Sequence, residues 1–282
     1  MDPILGKGLD KIIEGAADGP IKTLNTTWDL IFGGYHNWVA KIQYKRELDL
    51  KDFKDNIESN VRKIPSGNLK EPELSIIGPA IESSKFYISE KEIRELFSNL
   101  IASAMDNRKT NEVHHSFVEL IKQMSPKDAI LFKFLSNEHV IPAARYKAIT
   151  DDSKTCIYLS DAVISNSPLT VSDTEISLVN LERIGLLKID IGLNHYTNES
   201  LYKNFDDSEI TQKYLKKYEE NNYKQYHDKF ELIRNVGVET IALANSLSIK
   251  EVYDFVKPAS IEYDKGFIEI TSFGKAFISC CF

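Results

Sequence analysis

The sequence predicts a mainly α-helical protein with a small α+β part: an N-terminal helical domain, then a domain that carries strands. Three observations carry that expectation. Apolar residues recur at steps of three and four through residues 1–136, the spacing of helices that bury one face. Beyond residue 186 short runs such as Leu187-Lys188-Ile189-Asp190-Ile191 take over, and these read as strands. The 282 residues are 42% hydrophobic and 27% charged, the balance of a soluble chain with one large domain or two smaller ones.

Residues 1–46 form a distinct segment that holds both tryptophans. Trp28, Ile31, Phe32, Tyr35, Trp38, Val39 and Ile42 make an amphipathic, aromatic helical stripe. Gly33-Gly34 weakens it midway, by about 1 kcal/mol per glycine relative to alanine. We expect this helix to dock on the rest of the protein or on a partner subunit. An interfacial membrane helix is the alternative, because aromatic faces suit the headgroup boundary. Asp29 and the scarcity of lysine before Lys41 speak for docking.

Residues 47–136 read as an all-helical domain of four or five short helices. Leu50, Phe53, Ile57, Val61 and Ile64 share a face, and Pro65-Ser66-Gly67 stops that helix. Glu73 to Tyr87 is helical, with Gly78-Pro79 set to kink it. Ser89 and Glu92 are spaced as a capping box. The helix they open runs to about Met105 and turns Ile93, Leu96, Phe97, Leu100, Ile101 and Ala104 inward. Asp106 to Asn111 is a polar loop. Ser116 to Gln123 is a short helix, and Ser125-Pro126-Lys127-Asp128 starts another with proline at its first position.

Residues 137–282 change character. Glu175 to Leu186 is an amphipathic helix that leads into the strand 187–191. Residues 260–270 read as a hairpin turning at Asp264-Lys265-Gly266, and a final helix starts behind a cap at Thr271 or Ser272. The phrases Leu181-Glu182-Arg183-Ile184-Gly185-Leu186-Leu187 and Ile270-Thr271-Ser272-Phe273-Gly274-Lys275-Ala276-Phe277 resemble the two ends of a winged-helix unit. Between them lies an insertion of about residues 194–255, with expected helices from Ser208 to Asn222 and from Asp228 to Ser246.

The chemistry is defined largely by exclusion. A formal charge of −7 argues against a broad attraction to polyanions. Three cysteines without CxxC spacing and no leader-like start point to a reducing cytoplasm. No apolar run is long enough to span a bilayer. Phosphate-loop, dinucleotide, GxSxG, HExxH and paired CxxC motifs are all missing, so neither a cofactor nor a metal is expected. Glu112, His114, His115 and Glu119 could place two donors on one face, but a helix start at that point favours capping or packing by the imidazoles. Arg94 with Asn99 could hold an acidic group, and Asp106 could close a polar network with Arg108; a surface ion pair is the plainer reading. A DNA-reading helix around Arg183 would carry more carboxylates than cations. The lysines and tyrosines of the insertion (Lys213, Tyr214, Lys217, Tyr218) are offset by acids, which favours a solvated helix or a protein interface over strand stacking.

One stretch carries most of the identity. Ile64-Pro65-Ser66-Gly67-Asn68-Leu69-Lys70-Glu71-Pro72, Ile77-Gly78-Pro79-Ala80-Ile81-Glu82 and Glu92 to Asp106 come in that order. Val113-His114-His115-Ser116-Phe117-Val118 and Lys122-Gln123-Met124-Ser125-Pro126-Lys127-Asp128-Ala129 follow. In this arrangement they resemble the bacterial abortive infection alpha family, well over 64–135 and loosely over 271–281. His115 stands where the family usually has proline. The resemblance implies a cytoplasmic protein of phage defence and brings no catalytic residues. The expectation is a non-enzymatic protein that binds a phage or host protein or acts as a toxic effector, with homo-oligomerisation and peripheral membrane contact as further options and nucleic acid disfavoured. A winged-helix DNA-binding regulator is the alternative. An enzyme would need Glu82, Arg94, His114 and Asp106 to converge on one pocket. Trp28, Phe32, Tyr35, Trp38, Arg94, Asn99, His114 and Arg183 are the candidate interaction residues.

Overall fold

Helix follows helix through the first half of the chain in the computed structural model, which describes residues 18–32, 44–149, 156–206, 208–254 and 260–282. They are α1 (Asp18–Phe32), α2 (Tyr44–Arg62), α3 (Leu74–Tyr87), α4 (Lys91–Ala104), α5 (Ser116–Lys122) and α6 (Pro126–Leu135). Then come β1 (Pro142–Ile149), β2 (Cys156–Tyr158), α7 (Val171–Arg183), β3 (Leu187–Ile191) and a 3-10 turn at Glu199–Asp206. The chain continues through α8 (Ser208–Val236), α9 (Val238–Asn245), α10 (Ile249–Asp254), β4 (Ser260–Ile270) and α11 (Ser272–Cys281). The fold is thus mainly helical, with one four-stranded sheet.

Two compact units divide these elements. The helical unit comprises Met1–Asn137, Asn180–Leu187 and Ile270–Phe282; the sheet unit comprises Glu138–Val179 and Lys188–Glu269. The closing helix α11 therefore belongs to the helical unit, although the whole sheet unit precedes it in sequence.

Helix α4 is the centre of the helical unit and is packed by α2, α3, α5, α6 and α11. Its apolar residues Ile93, Leu96, Phe97, Leu100, Ile101 and Ala104 are all buried, as their spacing predicts. So are Leu50, Phe53, Ile57 and Val61 of α2. Ser125 accepts from the Asp128 amide while Asp128 accepts from the Ser125 amide, a full capping box with Pro126 in the first turn. The box expected at Ser89 and Glu92 does not form: α4 starts at Lys91 behind Glu90, with no side-chain cap. The buried Ile88, whose carbonyl accepts from Arg94, holds the chain there and moves the helix start past Ser89. Helix α3 continues through Pro79.

The sheet has the order β2-β1-β4-β3. β1 pairs antiparallel with β4 in a register that sets Tyr146 opposite Tyr263. The hairpin expected at 264–266 is one uninterrupted strand, β4. Gly266 serves a different purpose there: a Cβ would strike the backbone of Asp190 and Ile191. The glycine lets β3 approach closely and makes no turn. The two helices expected in the insertion are likewise joined, and α8 ends only before Gly237, whose φ of 87° stops it. Tyr223 to His227 contain neither glycine nor proline, so nothing breaks the helix earlier.

The core of this unit is rich in tyrosine. Tyr146, Tyr202, Tyr214 and Tyr218 pack with Ala144, Ala148, Leu159, Val163 and Phe205. Tyr214 and Tyr218 of α8 thus turn inward, and the stacking platform considered for single strands loses them.

Candidate functional site

The polar side chains of the central helix converge on the end of α11. The last carbonyls of a helix have no partner within it, and here three side chains supply one. Asn99 Nδ2 donates to the Cys281 carbonyl at 2.9 Å, and Ser103 Oγ donates to the Cys280 carbonyl at 2.8 Å. Lys109 Nζ donates to the Ser279 carbonyl, so a cation stands where the helix dipole is negative. Asn99 and Ser103 are four residues apart and share one face of α4. Asn99 Oδ1 in turn accepts from Asn60 Nδ2 at 2.6 Å, which ties in α2.

Asp106 completes the cluster. Its buried carboxylate caps the turn Asn107–Lys109 through the Arg108 amide. It also accepts from Arg108 Nε at 2.9 Å and from Nη2 at 2.6 Å. These hydrogen bonds hold the Asp106 carboxyl below the usual carboxylate range. A cavity of about 230 Å³ lies over this cluster, with Lys63, Arg108 and Lys109 at its walls. Burial pushes the Cys280 thiol up to about 11, and that of Cys281 well above its usual value, so neither is a nucleophile at neutral pH.

Two expected results follow from this geometry. Asn99→Ala takes the Asn99 donor from the Cys281 carbonyl and the Asn99 acceptor from Asn60 Nδ2 and should cost about 1–2 kcal/mol, measured by urea unfolding. Because the folded pKa of Asp106 is depressed, its stabilisation is fully present above the unfolded value. It is lost as pH falls through the lower folded value. Asp106→Asn should therefore flatten the acid limb of stability below about pH 4, read as unfolding midpoints over a pH series.

The other candidate residues are placed separately. Arg94 is buried, 2.5 Å from Asp52 and 3.3 Å from Asp49 of α2, and faces no cavity described here. His114 Nδ1 accepts from the Ser116 amide at 3.1 Å, and its ring meets Phe117 and Phe273. His115 lies 3.8 Å from Glu73, while Glu119 pairs with Lys122; no metal-binding group of three exists among the described residues. Arg183 is bound to Asn180 and Gln123. Glu82 is exposed and does not join Arg94, His114 and Asp106. Trp28 and Phe32 are buried with their tilted rings 4.5 Å apart, and Trp28 also meets Phe53 at 5.8 Å. Tyr35 and Trp38 lie outside the described residues.

The family model described as abortive infection alpha matches residues 45–281. The chain belongs to that family. No curated protein and no solved structure matches it. The abortive infection alpha match extends far past 64–135 and takes in α8 and the rest of the insertion, so the sheet unit is part of the family's domain.

Sequence reasoning on this abortive infection alpha chain missed one group of residues, all within the sheet unit. A cavity of about 500 Å³ is lined there by Arg145, Ser160, Glu175 and Lys217, with Tyr158 and Ile176 among its apolar walls. Burial raises the pKa of Glu175, against the opposing pull of the Lys217 charge. Burial and the Glu175 charge also raise the pKa of Tyr214. The signal was faint because these residues come from β1, β2 and the segment after it, α7 and α8, and share no motif spacing.

Proposed function

We propose that this abortive infection alpha protein defends against phage by binding a protein partner of phage or host origin, without catalysis of its own. The use made of the family's polar residues supports this. Arg94, Asn99, Ser103, Asp106, Lys109 and His114 all satisfy other groups of the helical unit. Side chains engaged in this way suit a scaffold better than a catalytic centre. We read the segment from α7 to α11 as a winged-helix derivative that serves as architecture. Helix α7 carries Asp173, Glu175 and Glu182 against the single cation Arg183, and DNA phosphates would be repelled there.

No helix among the described residues is long and apolar enough to cross a membrane. The inward turn of Trp28 and Phe32 spends that part of the aromatic stripe on protein. A membrane-directed role would then rest on Tyr35 and Trp38, and flotation of the chain with liposomes, with and without Tyr35→Ser and Trp38→Ser, tests it.

The deciding experiment is phage plating on a host that expresses the chain, with survival of infected cells scored alongside. Fewer plaques together with death of infected cells is the expected outcome. Asn99→Ala should lose protection only as far as its soluble abundance falls. Loss of protection at full abundance would speak for direct chemistry at that residue. Unchanged plating over a broad phage panel, with sound expression, overturns the defence reading.

A further inference from the structure

Three core tyrosines of the sheet unit are held by their hydroxyls. Tyr146 donates to the Phe205 carbonyl at 2.8 Å, Tyr202 to the Gly266 carbonyl at 2.8 Å, and Tyr263 to Asp206 at 2.8 Å. Tyr214 is 1% exposed and stacks on Tyr146, yet its hydroxyl has no hydrogen-bond partner. An unpaired buried hydroxyl costs about 1–3 kcal/mol, so natural cores rarely keep one without a reason. Its polar neighbours are Glu175 and Ser160, and both form walls of the 500 Å³ cavity.

The same cavity holds a second unfilled group. Arg145 is half-buried, its Nε donates to the Ser160 carbonyl at 3.2 Å, and its guanidinium lies 3.9 Å from the Tyr158 ring centre. These contacts fix the plane of the fork, and among the described residues neither terminal nitrogen has an acceptor. No carboxylate among the described residues lies within ion-pair distance of it. Lys217 donates to the Leu159 carbonyl at 3.0 Å and also lines the space. The acids Glu175 and Asp161 share the walls and balance the two cations. Tyr158, Ile176 and Val179 add an apolar border, and Ile176 is 66% exposed. A cavity of a few hundred Å³ with apolar walls and a few fixed polar groups suits a small molecule. A planar, stacked guanidinium suits a two-pronged oxyanion.

We infer that the sheet unit binds a small organic oxyanion, a carboxylate or phosphate monoester on an apolar or aromatic body, with its charged end on Arg145 and Lys217. Glu175 and the Tyr214 hydroxyl stand beside that end and can exchange hydrogen bonds with a hydroxyl or amide of the ligand. The body covers Tyr158 and Ile176. This inference is independent of how the chain acts in defence.

The test titrates the full chain with 3-phenylpropionate and with phenyl phosphate, followed by calorimetry and by methyl NMR of the isoleucines. Benzyl alcohol supplies the body without the charge, and inorganic phosphate the charge without the body. Binding of at least one aryl oxyanion is expected, at least tenfold tighter than either control, and which of the two binds separates carboxylate from phosphate. Affinity should fall at least tenfold in Arg145→Gln. It should fall similarly in Ile176→Glu, a surface change that serves if the first variant does not fold. Absence of binding by both aryl anions overturns the inference. So do binding that ignores Ile176→Glu, and inorganic phosphate that matches phenyl phosphate.

Discussion

Arg94→Ala should lower the stability of the chain by about 3 kcal/mol, the scale of removing one partner from a buried ion pair. The guanidinium joins three structural levels. It donates to the two acids of α2, Asp49 and Asp52, and to the Ile88 carbonyl at the turn that opens α4. Its side chain is 6% exposed, while that of Asp52 is 52% exposed. Removal of the arginine therefore strands Asp49, which is 17% exposed and already has one oxygen without a partner. Asp52→Asn should cost less than about 1 kcal/mol, because the exposed partner is solvated in either state. Urea unfolding of the two variants side by side tests the claim, and equal losses would contradict it.

Gly266→Ala should be at least as damaging, with a loss of about 3 kcal/mol or more. Overpacking commonly costs about 1–3 kcal/mol where neighbouring side chains can give way. Here the added methyl meets backbone: the Asp190 carbonyl and the Cα of Ile191. Strand β3 would have to leave β4, and the Gly192 amide would lose its 2.9 Å bond to the Lys265 carbonyl. The Tyr202 hydroxyl, which donates to the Gly266 carbonyl itself, would shift too. Limited proteolysis should open the sheet unit first, with cuts between 188 and 269, while the helical unit resists for longer. Gly67→Ala is the control, since nothing lies within 4 Å of a Cβ there.

The helical unit was legible because each of its helices carries its own apolar stripe and its own stop. Residues 93–104 show which face goes inward, and Ser125-Pro126-Lys127-Asp128 announces a cap in four letters. Strand β1 was illegible for the opposite reason. Ala144, Arg145, Tyr146, Lys147 and Ala148 do alternate inward and outward, but alanine is a poor strand former and hides the period. Gly266 misled because a glycine after Asp-Lys suits a turn, whereas its need here is set by β3, more than seventy residues earlier in the chain. The capping role of Asn99, Ser103 and Lys109 was invisible for a similar reason, since their acceptors are backbone carbonyls of α11. A carbonyl leaves no mark in a sequence. The cavity of the sheet unit is assembled from four separate elements, and only the folded chain brings Arg145 and Glu175 to one cavity.

The discontinuity of the helical unit has a consequence for how the protein is made. Helices α1 to α6 leave the ribosome first, but the groove on α4 stays open until residues 272–281 emerge. All of the sheet unit must be translated in the interval. At about 5–20 residues per second, that interval lasts several seconds or more. During it, Leu100, Phe117 and Phe132 lack the cover that Phe277 and its neighbours later provide. The core of the helical unit therefore closes only after the whole sheet unit has been made, and α11 sets the time at which it does so.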